Sequence, residues 1–444
     1  MTAFPLGATL APVLDRVPSV GAVDVLVAGG GSAGCVAAIA AARAGARVLL
    51  LERHGHLGGI GTSVLDTFYG FYTPGPNRKV VGGIAQEVVD ALTARDAAFI
   101  RPNTYGAGGG VTYSPEVLTM LWDEMVTASG VDILFHTTVI DVVKAPDAGV
   151  VTDVLLATRN GLLRASADVV VDCTGDADIC ARAGAGYDGA DTGQPVQALT
   201  TTFRVANVDT ERARSFPKED LFALMAHAAR SGDYDLPRQE GSIHRTPVEG
   251  VSLANMTRVE SVDPTDLRQL TGAEIAGRRQ AAEYVRFLRD LVPGYEKASL
   301  VGLSAYAGVR EARRIHGDYR LTADDVLGAR RFSDAIAQCG APIEDHSGGT
   351  DTVWRYIPDD GVYDIPVRCL LPTGLDNVLV AGRCLSATHE AHASARSIAQ
   401  CMAMGQAAGT LAALASAQGA EPRQVDVLAL RQRLTLDGAI LDGG

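Results

Sequence analysis

The stretch from Asp24 to Glu52, DVLVAGGGSAGCVAAIAAARAGARVLLLE, constrains this chain more than any other. Residues 24–28 form a short apolar run suited to a buried parallel strand. The run ends at Gly29, Gly31 and Gly34, a G-x-G-x-x-G spacing set after a strand and before a helix. Each glycine has a separate task there. Gly29 permits the tight turn, Gly31 lets backbone approach a pyrophosphate, and Gly34 lets the helix pack close to the sheet. The helix opens at Ser32 and Ala33, so its unpaired N–H groups and positive dipole end would face the diphosphate. Glu52 lies eighteen residues beyond Gly34 at the end of the second strand, where a carboxylate accepts ribose hydroxyls and disfavours a 2′-phosphate.

The rest of the chain is large enough to build on this unit. Its 444 residues, 47% of them hydrophobic, can bury a sizeable core and suggest two or three domains. A net charge of −13 argues against a nucleic-acid surface and against attraction to anionic lipid. The seven cysteines are odd in number and show no zinc-type spacing, which reads as reduced, mostly buried thiols. No metal is expected. The N-terminus lacks the basic and apolar segments of a signal peptide, and no apolar run approaches the ~20 residues of a membrane span. These features predict a cytoplasmic protein with no membrane partner.

Beyond Glu52, Gly58, Gly59 and Gly61 predict a second flexible turn. Residues 81–96 have helical spacing, residues 105–110 read as a loop, and a helix over 115–129 begins with Ser114 as N-cap. Strands are expected at 131–135 and 138–143, then a hairpin of 150–158 and 162–169 turned at Asn160-Gly161. A further apolar strand, 167–172, leads into Thr174-Gly175-Asp176. From about 186 to 363 the composition changes: 197–205 has strand character, and 271–291 reads as an amphipathic helix with a capping box at Thr271 and Glu274. Its apolar face comprises Ala281, Tyr284, Val285, Leu288 and Leu291. Residues 377–381 then form a strand delivering Gly382-Arg383, followed by a small-residue helix over 394–417. Gly405, Ala407, Ala408 and Gly409 on that helix are expected to lie against the sheet.

The three glycine motifs in this order resemble those of glutathione-reductase-type FAD-binding flavoproteins. The segments GGIAQEVVDAL, GVREARRIHGDYRLT, YDIPVRCLLP and NVLVAGRCLSATHEAHASARSIAQCMAMGQAAG carry a closer resemblance to the bacterial FAD-dependent oxidoreductases related to fumarate-reductase and tricarballylate-dehydrogenase flavoproteins. The resemblance implies an α/β fold: a Rossmann-like, three-layer FAD-binding domain with a mostly parallel sheet and an inserted α+β substrate domain. Its parts would be 20–190 and 364–420 for the FAD domain, 191–363 for the insertion, and 421–444 for a helical tail. FAD is expected to bind without a covalent link, since His54 and His56 read as solvated turn residues. The expected cofactor contacts are Gly29, Gly31, Ser32, Ala33, Gly34, Glu52, Arg53, Gly59, Thr62, Val139, Thr174, Gly175, Asp176, Gly382, Arg383, Ser394 and Ala395.

The helix starting near Ser394 would aim its N-terminus at the flavin N1–O2 edge. By the same resemblance His389 lies beside the isoalloxazine as first candidate for acid/base work, because an unperturbed histidine titrates near neutrality. His392 is second, with a purely structural role the stronger alternative. Arg310, Arg313 and Arg314 are candidates to clamp a substrate carboxylate, against the alternative of a surface salt-bridge face with Glu311 and Asp318. Arg258 is a weaker candidate, and Tyr363 could supply a pocket hydroxyl. The expected activity is hydride exchange between flavin N5 and a small polar substrate, a carboxylate or hydroxy compound, with the electron acceptor unspecified and homo-oligomer formation open. A flavin monooxygenase and a non-catalytic flavin-binding protein are the alternatives.

Overall fold

The computed structural model describes residues 16–75, 78–101, 109–146 and 148–441. Of the segment expected to be a glycine-rich loop, residues 105–108 lie outside these, while Gly110 already opens the strand Gly110–Tyr113.

A seven-stranded sheet organises the molecule. Its strands are β1 (Ser19–Ala28), β2 (Val48–Leu51), β3 (Asp132–Leu134), β4 (Thr138–Lys144), β5 (Val151–Thr158), β6 (Gly161–Asp172) and β7 (Val378–Val380). They run in the order β3-β2-β1-β6-β5-β4, with β7 also on β6. The β1, β2, β3, β6 and β7 pairings are parallel, and β4–β5–β6 are antiparallel. The hairpin turns at Gly161, whose φ of 109° an L side chain rarely adopts. Two expected segments, 162–169 and 167–172, are one strand. The twelve residues of β6 pair β5 along the first half and β7 at the end, so a single element closes the hairpin and enters the central sheet. The helix Pro115–Ala128 is capped as expected, by a Ser114 hydroxyl that accepts the Val117 N–H.

Helix α1 (Ser32–Arg43) follows β1 and is buried over its first ten residues. The middle of the chain builds a separate four-stranded sheet from Ser242–Arg245, Ser252–Asn255, Phe203–Ala206 and Ser299–Leu303, in that order and antiparallel throughout. Helix α2 (Leu267–Leu291) packs Ala281, Tyr284, Val285 and Leu288 into the core of this sheet, whereas Leu291 is exposed. The expected capping box at Thr271 does not form. Asp266 caps α2 by accepting the Arg268 and Gln269 N–H groups, which places Thr271 inside the helix with its hydroxyl bonded back to the Leu267 carbonyl. Glu274 reaches instead to the Ala307 N–H at 2.7 Å.

The helix expected over 394–417 is two helices, α3 (His389–Ala395) and α4 (Ile398–Gln418). Thr388 caps the first by accepting the Ala391 N–H, and Ser397 takes an extended conformation that restarts the chain as α4. Gly405 and Gly409 do permit close approach, but to α1 and not to the sheet. A Cβ on Gly405 would lie 2.2 Å from the Ala33 carbonyl oxygen, and one on Gly409 2.0 Å from that of Ala37. At 21 residues α4 is also long and apolar enough by composition to cross a membrane, unlike anything expected from the sequence. Its most apolar window is 78% buried inside the fold, as a core helix is. Leu321, Ile336, Tyr363 and Ile365 share the core that holds α1 and α4. The tail carries the helix Val427–Leu436. All seven cysteines are free, and six are buried.

Candidate active site

Three glycine turns meet at the C-terminal ends of β1, β6 and β7, where the backbone shape leaves a cradle. Gly29 has φ of 100°, and a Cβ there would lie 2.5 Å from the Cys173 carbonyl oxygen at the end of β6. Gly34 closes on the turn itself, its absent Cβ 1.8 Å from the Gly29 carbonyl oxygen. Gly59 packs against the Gly31 Cα, and the Gly58 N–H donates to the Gly30 carbonyl at 2.8 Å, so the glycine turn after β2 is fastened to the one after β1. Gly382, with φ of 89°, sits against Ala33. Gly31 is the exception. A Cβ on it would meet nothing within 4 Å, and the first N–H groups of α1, which have no intrahelical acceptor, open beside it. Space on the turn, free donors and a dipole end make a fit for a diphosphate.

The surrounding side chains complete the cradle. Glu52 is buried, its Oε2 accepting the Gly30 N–H at 2.8 Å and its Oε1 the His54 N–H at 2.7 Å, with further lone pairs left on each oxygen. Ser32 donates its hydroxyl to the Gly58 carbonyl and Thr62 to that of Leu57. Arg53 is exposed beside His54. Val139 is buried on β4, two residues past Thr137, whose N–H bonds the Glu52 carbonyl. Thr174 donates to Asp172 and accepts the Asp178 N–H. Asp176 pairs with Arg383 at 2.9 Å, across Gly175, while the other terminal nitrogen of Arg383 is buried without a partner. The last two expected contacts differ in setting: Ser394 and Ala395 lie in α3, buried, and the Ser394 hydroxyl donates to the Ala341 carbonyl at 2.6 Å. The helix end they were expected to supply is displaced to Ile398 by the break at Ser397.

A charged cluster forms around α3. His389 Nδ1 bonds Glu311 at 2.9 Å, and its Nε2 approaches Asp345 at 3.4 Å. Burial opposes the charged ring, but the two carboxylates prevail and push His389 up to about 9. It is therefore an imidazolium at neutral pH, a donor and a fixed positive charge, and the near-neutral titration expected of it does not hold. His392 behaves oppositely: fully buried, it is pushed down to about 3 and as the neutral ring donates Nε2–H to the Arg383 carbonyl at 2.7 Å. It fastens the third glycine turn to α3.

The arginines divide in the same way. Arg314 is 1% exposed and tied to Glu311, so it positions the carboxylate that holds His389 and is not presented to a ligand. Arg313 pairs with Asp178. Arg310 has no carboxylate within 4 Å among the described residues. Its Nη1 donates to the Ala198 carbonyl at 2.9 Å, and burial together with the nearby cations Arg238, Arg396 and Arg258 pulls its guanidinium well below the usual arginine range. Glu344 faces this group and is held down at about 2, where burial is outweighed by His346, Arg396 and Arg310. Tyr363 is enclosed in the core with its hydroxyl 2.8 Å from Ser394 Oγ, because the strand Tyr363–Pro366 pairs inside the fold, so it offers no pocket hydroxyl.

Sequence reasoning missed Arg238, Glu344, Asp345 and His346. A signal existed: Ile343–Asp345 is a strand, so alternation sends Glu344 and His346 to one side and Asp345 to the other. Glu344 accordingly bonds His346 at 2.8 Å while Asp345 faces His389. Glu311, which entered only through the alternative of a surface salt-bridge face, is buried.

Among solved structures, p-nitrophenol 4-monooxygenase PnpA from Pseudomonas putida DLL-E4 is similar at 13% identity, over 92% of this chain and 83% of that one, with a TM-score of 0.52. A geranylgeranyl bacteriochlorophyll reductase-like protein from Thermoplasma acidophilum matches at 14% identity, over 94% and 83% of the two chains, with a TM-score of 0.46. At these identities PnpA supports the fold alone. A search of curated proteins returns no match to this chain. The family model described as FAD dependent oxidoreductase matches residues 24–434, nearly the whole described chain, and this protein belongs to that family.

Proposed function

We propose that this FAD-dependent oxidoreductase exchanges a hydride between the flavin and a small anionic substrate, a carboxylate or hydroxy acid, whose negative charge is received by Arg310. One observation carries the reading: Arg310 lacks an ion-pair partner among the described residues and lies near three further guanidinium groups with Glu344 facing them, an excess of positive charge that a bound anion would offset. FAD supplies hydride exchange at N5. The chain's own residues do the rest. Gly31 and the start of α1 would receive the diphosphate, Glu52 the ribose, and Arg383 with Asp176 would border the same cradle. His389, held charged by Glu311 and Asp345, lies beside Gln197, the residue before the Ala198 carbonyl that holds Arg310.

The test is anaerobic addition of hydroxy acids and carboxylates to the FAD-loaded protein, followed by visible absorbance. Bleaching by one such compound supports the dehydrogenase reading and identifies its substrate group. Bleaching only by a pyridine nucleotide, with product formed on admitting oxygen, would replace it with the monooxygenase alternative. Arg310→Gln should raise KM for the bleaching compound roughly ten- to a hundredfold with FAD still bound. An unchanged KM would remove Arg310 from substrate binding.

A further inference from the structure

A hydrogen-bonded chain that the cradle and the Arg310 group do not use leads to Tyr69. It begins at Asp66, 1% exposed, whose Oδ1 receives His244 Nε2 at 2.8 Å and the Thr67 hydroxyl at 3.0 Å. A carboxylate only accepts, so both neighbours donate. Thr67 has then spent its one hydroxyl hydrogen. Across the 3.1 Å contact between Thr67 and Thr112, Thr112 must be the donor. Thr112, fully buried, is left to accept, and at 3.2 Å it takes the Arg101 Nε–H. Each link thus points toward Asp66, with a guanidinium that can only donate at the head. Neither threonine link reverses without stranding a buried hydroxyl.

The consequence falls on Tyr69. Arg101 donates a second N–H, from Nη2, to the Tyr69 phenolic oxygen. That oxygen is an acceptor in this contact, and its own hydrogen has no acceptor among the described residues. Tyr69 borders the start of α4, its carbonyl accepting the Ala399 N–H and the next carbonyl, of Gly70, accepting Gln400 Nε2 at 2.8 Å, and its phenol lies close enough to Glu344, which faces Arg310, to be acted on by that carboxylate. Burial pushes its phenol up, Asp66 and Glu344 push the same way, and Arg101 pulls back. The phenol is protonated at neutral pH, as a proton donor must be.

We propose that Tyr69 is a catalytic residue of this site, a proton donor to the substrate whose phenolate is held by Arg101, with Asp66 and His244 as positioning residues. This rests on the hydride-exchange reading above. In the reducing direction the Tyr69 O–H bond breaks, its electron pair stays on the phenolate oxygen, and the proton joins the substrate atom next to the carbon that takes a hydride from the reduced flavin. The substrate gains two electrons and two hydrogens. In the oxidising direction the phenolate takes that proton back. His244 comes from the inserted sheet and Asp66 from the nucleotide-binding part, so the donor is aimed only when the two are packed together.

The experiment uses FAD-loaded protein carrying tyrosine labelled with carbon-13 at Cζ, the Tyr69 resonance being assigned by its loss in Tyr69→Phe. In Arg101→Gln the pH midpoint of that resonance should rise by about one unit or more. Malonate, as an anionic probe, should move the resonance in the parent protein. A midpoint indifferent to Arg101→Gln overturns the proposal, as does a resonance indifferent to malonate when malonate perturbs the flavin absorbance. Malonate that perturbs neither counts against the anion-binding reading, and the Arg101→Gln result still decides Tyr69. With a bleaching substrate, Tyr69→Phe should lower kcat roughly 10²- to 10⁴-fold with little change in KM, and an unchanged kcat overturns the role.

Discussion

The nucleotide cradle and the charged cluster around Arg310 are neighbours built on opposite principles. The cradle is backbone: Gly31 apart, its shape comes from glycines such as Gly29 and Gly34 that no side chain could replace, pressed against the carbonyls of Cys173 and Gly29 just past β6 and β1. The cluster is side chains: Arg238, Arg258, Arg310 and Arg396 come from four separate stretches and are held by contacts to distant carbonyls. The first is tightly packed as it stands. The second is electrostatically costly as it stands, and so is arranged for something other than stability. A cradle glycine pressed against a carbonyl should fail by unfolding, and a guanidinium of the cluster by losing function.

The largest effect should come from Gly34→Ala, whose new methyl would sit 1.8 Å from a backbone oxygen. A loss of about 3 kcal/mol or more is expected in chemical denaturation, and a near-native stability would show that the turn can yield. On the other side of the comparison, titrating His389 should matter almost as much. Its pKa is raised in the fold to about 9 from an ordinary 6.5, so its contribution is complete below pH 6.5 and is lost as pH rises through 9. The decline should be on the order of 3 kcal/mol between those limits, and should vanish in His389→Gln.

Gly31→Ala sharpens the contrast within the cradle. With φ of −69° and no atom near the new Cβ, the melting temperature without cofactor should stay within about 2 °C while FAD affinity falls about tenfold or more. Unchanged FAD retention would move the diphosphate elsewhere. The smallest effects concern α2. Asp266→Ala should cost about 1 kcal/mol as the loss of a cap, and Thr271→Ala less than about 0.5 kcal/mol, since Thr271 caps nothing. Equal costs would restore the capping box that the sequence suggested.

How much could be read from the sequence follows the same division. The β1–turn–α1–β2 unit and the Glu52 position were legible because each step is local: an apolar run, a glycine spacing, an acid at a strand end. Ser114 as a cap was legible for that reason too. The break at Ser397 was not, since residues 389–418 are helix formers nearly throughout and only the packing of Gly70 against Ser397 and Gln400 shows what the interruption accommodates. The partner of Gly405 and Gly409 was misjudged because a small-residue stripe announces close approach without saying to what. His389 was picked out by its position, but its charge was not, because the deciding carboxylates lie 78 and 44 residues away in Glu311 and Asp345.

By itself the sequence determined that this chain builds a dinucleotide cradle, since strand, turn and helix propensities act over a few residues and glycine geometry leaves few alternatives. Only the tertiary structure decided which ionisable groups meet. It made His389 a cation and His392 neutral, consumed Arg314, left Arg310 unpaired among the described residues, and set the Tyr69 oxygen as an acceptor for Arg101. The physical reason is that desolvation and Coulomb interactions depend on distance in space, and neighbours along the chain do not set that distance.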